Sequence, residues 1–132
     1  MDESGSVQFS NFILTQQFLS QLVGRLDIDS GSTRVGLVTF SNEVDTQDAF
    51  NLNEYSSVAS VQTAISSLTY SGGGTNAAKA LRHVHTTMLT SAAGDRSGVP
   101  NVVIFMTDGQ LGVLTITQVC TCLLYTSPSP RD

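Results

Sequence analysis

Thr33-Arg34-Val35-Gly36-Leu37-Val38-Thr39-Phe40 is mostly β-branched or apolar at odd and even positions alike. A strand with one wet face would alternate, so this one is expected to be covered by helices on both faces and to lie centrally in a sheet. Val102-Val103-Ile104-Phe105-Met106 is a second continuous apolar run, ending at Thr107 and Asp108, and predicts another such strand.

Helical patterns surround these two runs. Between Gln8 and Leu26, Phe9, Phe12, Ile13, Leu19, Leu22, Val23 and Leu26 recur at helical spacing, with Ser6 as N-cap and Asp27 to Ser32 as the stop. Val58, Val61, Ile65 and Leu68 share one face of a helix beginning near Ser56 or Ser57 and broken by Ser71 to Gly74. A third helix is expected from about Asn76 to Leu89, with Ala77, Ala80, Leu81, Val84 and Met88 on one face. After a turn at Ser41 and Asn42, Glu43 to Leu52 is read as a short edge strand. Helix, strand, helix, helix, strand describes an α/β fold: a Rossmann-like, doubly wound, mainly parallel sheet with helices on both faces.

A chain of 132 residues has room for one domain, about 100 to 150 residues being the commonest size. Lys plus Arg number 6 against 11 Asp plus Glu, and no basic run occurs, which argues against nucleic acid as a partner. The same acidity repels anionic lipid, and no apolar stretch approaches the roughly 18 residues of a membrane span, so membrane insertion is not expected. No signal peptide opens the chain and no Asn-x-Ser/Thr sequon occurs. Cys120 and Cys122 lie too close together to form a framework across a domain.

Hard oxygen donors cluster at three separated points: Asp2, Ser4 and Ser6; Thr75 after Gly72-Gly73-Gly74; and Asp108 before Gly109. Carboxylates and hydroxyls suit Mg²⁺, Mn²⁺ or Ca²⁺, whereas zinc or copper would want sulfur or imidazole. In an extended segment, Asp2, Ser4 and Ser6 point the same way and offer three oxygens to one ion, while Glu3 points away and reads as a solvated carboxylate. Each motif has a blander reading. The first is a capping turn, the second an interhelical turn, the third an Asp-Gly turn.

Other chemistry has less support. The glycines before Thr75 lack the Gly-Lys-Ser/Thr of a nucleotide P-loop. His83 and His85 cannot share a helix face, which disfavours a paired imidazole site. A serine hydrolase would nominate Ser6 with His83 or His85 and Asp95, but Gly5-Ser6-Val7-Gln8 is not a nucleophile elbow. No enzyme activity is expected.

The three motifs, in this order and each beside a suitable strand or loop, resemble the von Willebrand factor type A domain over Met1 to about Gln110. The resemblance implies a metal-ion-dependent adhesion site with Ser4, Ser6 and Thr75 coordinating directly, and Asp2 and Asp108 acting directly or through water. Hydroxyl ligation leaves the ion poorly neutralised, so a carboxylate from a protein partner can complete the shell. The implied module resembles those of matrilins and collagen VI: an extracellular, secreted, Mg²⁺- or Mn²⁺-dependent adhesion domain. A metal-independent interaction domain and an intracellular type A domain are the alternatives.

The motif at Asp2 belongs just beyond a strand end, so Met1 is read as the last residue of a buried strand that begins upstream, where a signal peptide could also stand. After Gln110 the resemblance stops. Val113 to Leu124 is apolar and β-prone, and Ser127 to Asp132 is Pro-rich and expected to be disordered. Residues 1–110 are therefore expected to form a type A domain incomplete at both ends, and residues 111–132 an unassigned tail, read as a translated adapter or frameshift product with a genuine variant ending as the alternative.

Overall fold

The computed structural model describes residues 1–110. The expectation for residues 111–132 lies outside the described residues. Helix α1 (Phe9–Val23) is followed by strands β1 (Leu37–Phe40) and β2 (Val44–Phe50), then helices α2 (Val58–Ser66) and α3 (Ala77–His83).

Helix α1 buries Phe12, Gln16, Leu19 and Val23 along one stripe. Ser6 does not cap it: Gln8 occupies the N-cap with no side-chain cap bond, because the chain completes a turn at Ser4–Val7 first. The helix stops at Val23, short of Leu26, where the amides of Arg25 and Leu26 make tighter bonds to Leu22 and Val23. Helix α2 opens with a reciprocal capping box, Ser60 N donating to Ser57 Oγ at 3.1 Å and Ser57 N to Ser60 Oγ at 3.3 Å. The buried amide of Gln16 binds the carbonyls of Ile65 (2.9 Å) and Leu68 (3.2 Å), so α1 satisfies the end of α2.

Asn76 caps α3 through Lys79 N at 3.2 Å. The single helix expected to Leu89 changes at Val84–Met88 into a π-helical turn, with Leu89 N on Val84 O at 2.9 Å. Thr86 Oγ1 donates to Arg82 O at 2.8 Å, and such hydroxyl back-bonds compete with the α ladder.

Strand β1 pairs antiparallel with β2, Leu37 opposite Phe50 and Phe40 opposite Val44, with an irregularity between Leu37 and Thr39. On β2, Asp45 Oδ1 accepts the amides of Gln47 (2.8 Å) and Asp48 (3.1 Å). On its other side β1 runs parallel to Met1–Glu3: Met1 N donates to Val38 O, Phe40 N to Met1 O and Glu3 N to Phe40 O. Asp2 N then reaches Met106 O at 2.9 Å. Residues 1–3 therefore lie between β1 and the 106 segment.

Val102–Met106 is not a strand among the described residues. A strand needs a ladder, and Met1–Glu3 offers this segment only the Asp2–Met106 bond. Val102 is 83% exposed and Ile104 58%. The alternation nevertheless holds, since Val103 and Phe105 pack with Phe40, Ala77, Ala80 and Leu81. Met106 joins the larger cluster of Met1, Phe12, Leu19, Phe50, Val61 and Ile65. Met106 thus enters a different core from Val103 and Phe105, while the Val102 and Ile104 side of the segment is exposed, so the double-sided covering expected of this run is only partial. Val38, Thr39 and Phe40 are buried at successive positions.

Candidate metal centre

The extended Met1–Glu3 segment leaves the sheet at Ser4, where Val7 N closes a turn onto Ser4 O at 3.1 Å. Asp2 is buried and both its carboxylate oxygens are engaged: Oδ1 accepts Ser4 N at 2.9 Å and Oδ2 accepts Thr107 Oγ1 at 2.7 Å. Ser4 is fully buried and Ser6 exposed, with their hydroxyl oxygens 3.1 Å apart. The turn thus brings Asp2, Ser4 and Ser6 together.

The glycine loop docks against this turn through four bonds. Gly72 N donates to Glu3 O (3.1 Å), Gly5 N to Gly73 O (2.8 Å), Tyr70 Oη to Ser4 O (3.1 Å) and Ser71 Oγ to Glu3 Oε1 (3.0 Å). Tyr70 also packs its ring against Phe9 and Phe12 of α1. Gly73 has φ 90, which glycine adopts without strain, and a Cβ on Gly74 would collide with the Asn42 side chain. At the loop's far end, Asn76 N binds Ser41 O at 2.7 Å. Thr75, partly buried, is held between these anchors.

Asp108 is exposed, one residue beyond the Thr107 hydroxyl that grips Asp2, and its Oδ1 accepts Gln110 N at 2.9 Å. The three motif-bearing segments therefore meet at one end of the sheet. Among the described residues no three His, Cys, Asp or Glu side chains gather as a metal cluster. Any cation here would rely mainly on hydroxyl oxygens, and the Ser4–Ser6 pair has the hardness and spacing for that role.

Sequence reasoning missed three participants. Thr107, at the end of the Val102–Met106 run, has no role in the sequence reading, yet its hydroxyl holds Asp2. Tyr70 and Ser71 lie outside every motif. Glu3 is corrected outright: it is 1% exposed, not solvated. Burial raises its carboxyl pKa, the Ser71 hydrogen bond opposes that rise, and the negative charges of Asp45 and Asp48 add to it. Of the residues nominated for a hydrolase, Ser6 has its hydroxyl on Ser4, while His83 ends α3 and His85 lies in the π turn.

An α/β sheet wound on both faces, with its oxygen-rich loops at one end, defines the structural class. The von Willebrand factor type A domain profile matches residues 1–123, and the chain belongs to that family. It is 39% identical to human (Homo sapiens) matrilin-4 over 113 residues, covering 83% of this chain and 18% of that protein. It is 37% identical to the collagen alpha-4(VI) chain of Mus musculus over 112 residues, covering 83% of this chain and 5% of that one. The chain thus spans a small part of the relatives it matches. Proximal thread matrix protein 1 from the mussel byssus superimposes with a TM-score of 0.82 at 23% identity, covering 96% of this chain and 34% of that one. A further structure of that protein, described with a zinc-occupied MIDAS motif, gives 0.81 at 22% identity over the same shares. No helix among the described residues is long and apolar enough to cross a membrane.

Proposed function

We propose that this chain is a protein-binding module that holds one divalent cation and uses it to recognise a partner's carboxylate. The observation that carries the reading is the Ser4–Ser6 hydroxyl pair at 3.1 Å, in a turn tied to the Thr107–Asp108 segment through Asp2 and to the Thr75 loop through Gly5. Ser4, Ser6 and Thr75 are the direct donors in this reading. Asp2, both of whose oxygens already accept hydrogen bonds, acts through water, and exposed Asp108 acts directly or through water. Mg²⁺ or Mn²⁺ fits the hard donors best and Ca²⁺ is accommodated. The zinc-occupied motif of the mussel protein supports a divalent ion in this fold.

Neutral hydroxyls leave a dication's charge largely uncompensated, which favours an incoming anion. An Asp or Glu side chain of a matrix or cell-surface protein supplies it. Likeness to matrilin-4 and a collagen VI chain supports a secreted module of the extracellular matrix without catalytic activity. In this reading residues 1–110 form the domain, within the 1–123 that the family profile matches. A metal-independent mode would use the outer face of α1, where Leu14 and Phe18 are 61% and 51% exposed and stand one helical turn apart.

The test is water-proton relaxation with Mn²⁺, followed by addition of acetate as the smallest carboxylate. The chain should bind Mn²⁺, acetate should displace a bound water, and EDTA should reverse both signals. Relaxation indistinguishable from free Mn²⁺ would reject the reading.

A further inference from the structure

The Glu3 side chain is 1% exposed, yet only one of its oxygens has a partner among the described residues. Oε1 accepts Ser71 Oγ at 3.0 Å, while Oε2 accepts nothing. A buried carboxyl half satisfied in this way costs stability, and among the described residues no Lys or Arg forms a salt bridge with it.

What Glu3 contacts suggests why an acid stands there. Its main chain grips the same loop as its side chain, since Glu3 O accepts Gly72 N at 3.1 Å. On its other side Glu3 N is fixed to β1 through Phe40 O at 2.9 Å. From Gly72 to Gly74 the loop has no side chain with which to pack, and Gly72 and Gly73 both hold positive φ. Such a segment cannot be positioned by apolar burial and depends on hydrogen bonds for its place. The bonds nearest its start come from Glu3, and those at its far end from Gly5 and Ser41.

We infer that Glu3 is a positioning residue whose buried carboxyl, through Ser71, holds the Gly72–Thr75 loop across Ser4 and Ser6 and so sets where the Thr75 oxygen stands. The assignment rests on the metal-binding reading for its purpose, but its geometry is testable without metal. A residue between two proposed ligands thereby serves the site from behind rather than from within it.

The experiment compares Glu3→Ala, Glu3→Gln, Ser71→Ala and the Glu3→Ala/Ser71→Ala double variant in the full chain. Amide hydrogen exchange is measured without metal, then Mn²⁺ affinity by calorimetry. Glu3→Ala and Ser71→Ala should each speed exchange at Gly5, Gly72 and Asn76, whose amides hold the loop in place, by about tenfold or more, leaving Gln16 to Leu19 of α1 unchanged. Mn²⁺ affinity should fall by about tenfold in each, with the double variant no worse than the singles because the two changes break one bond. Glu3→Gln keeps an oxygen for Ser71 and should stay within about threefold of wild type in both readouts. Unchanged loop exchange in Glu3→Ala would overturn the assignment. So would a Glu3→Gln loss equal to that of Glu3→Ala, which would make charge, not position, the contribution. Wild-type protein that ignores Mn²⁺ while its loop exchange responds as described would sink the metal reading and leave the loop anchor standing.

Discussion

Thr107 donates its hydroxyl proton to Asp2 at 2.7 Å, joining residues 105 apart in sequence across the end of the sheet. With Asp2 Oδ1 on Ser4 N, one buried carboxylate fixes the hydroxyl turn and the Asp108 segment relative to each other. The sheet itself supplies one bond at this seam, Asp2 N to Met106 O, so the side-chain contact carries much of the register.

Thr107→Val removes that donor while nearly keeping the shape. Calorimetric Mn²⁺ titration should show affinity falling about tenfold or more, since a hydrogen bond to a charged group is worth ~1.5–3 kcal/mol. Thr107→Ser, which retains the hydroxyl, should stay close to wild type. Equal affinities for the Val and Ser variants would remove Thr107 from the account.

Gly73→Ala places a Cβ on a residue with φ 90. Urea unfolding should show a loss of about 1–2 kcal/mol from the left-handed conformation alone. Because Gly73 O is also the acceptor for Gly5 N, Mn²⁺ affinity should fall with it. A variant as stable as wild type would mean that the loop does not hold this conformation.

Asp27 carries a lowered pKa because the Ser30 and Ser32 hydroxyls hydrogen-bond to it. A carboxyl depressed in the folded state contributes stability that is present above its unfolded pKa and lost as pH falls through the folded value. Asp27→Asn should therefore lower stability slightly at neutral pH and flatten the acid side of the stability profile, so that the two proteins converge below the usual 3.8. The group is exposed, so the effect should be small. The check is urea unfolding across acid pH, where an identical slope in both proteins would remove the Ser30 and Ser32 contacts from the account.

Much of the fold was legible because burial and periodicity coincide. Val58, Val61 and Ile65 marked α2, and the doubly apolar run to Phe40 marked a strand with both faces covered. Ser6 misled as a cap because its type suits that role equally well in a turn, and a sequence does not say which backbone amide the hydroxyl will meet. Val102–Met106 misled because strand composition is local, whereas a ladder requires a neighbour. The site was legible as three oxygen-bearing motifs. What gathers them was not: alternation gave the direction of Glu3 but not the Ser71 loop that covers it, and Thr107 needed the distant Asp2 to acquire a role.

The most direct test of the account is a Mn²⁺ titration of the wild type beside Ser4→Ala, Thr75→Ala and Asp108→Ala, with circular dichroism on each to verify the fold. The account predicts saturable, EDTA-reversible uptake by the wild type and a loss of about tenfold or more in every variant, with the helical signal kept. Uptake of equal affinity in all four proteins would contradict it.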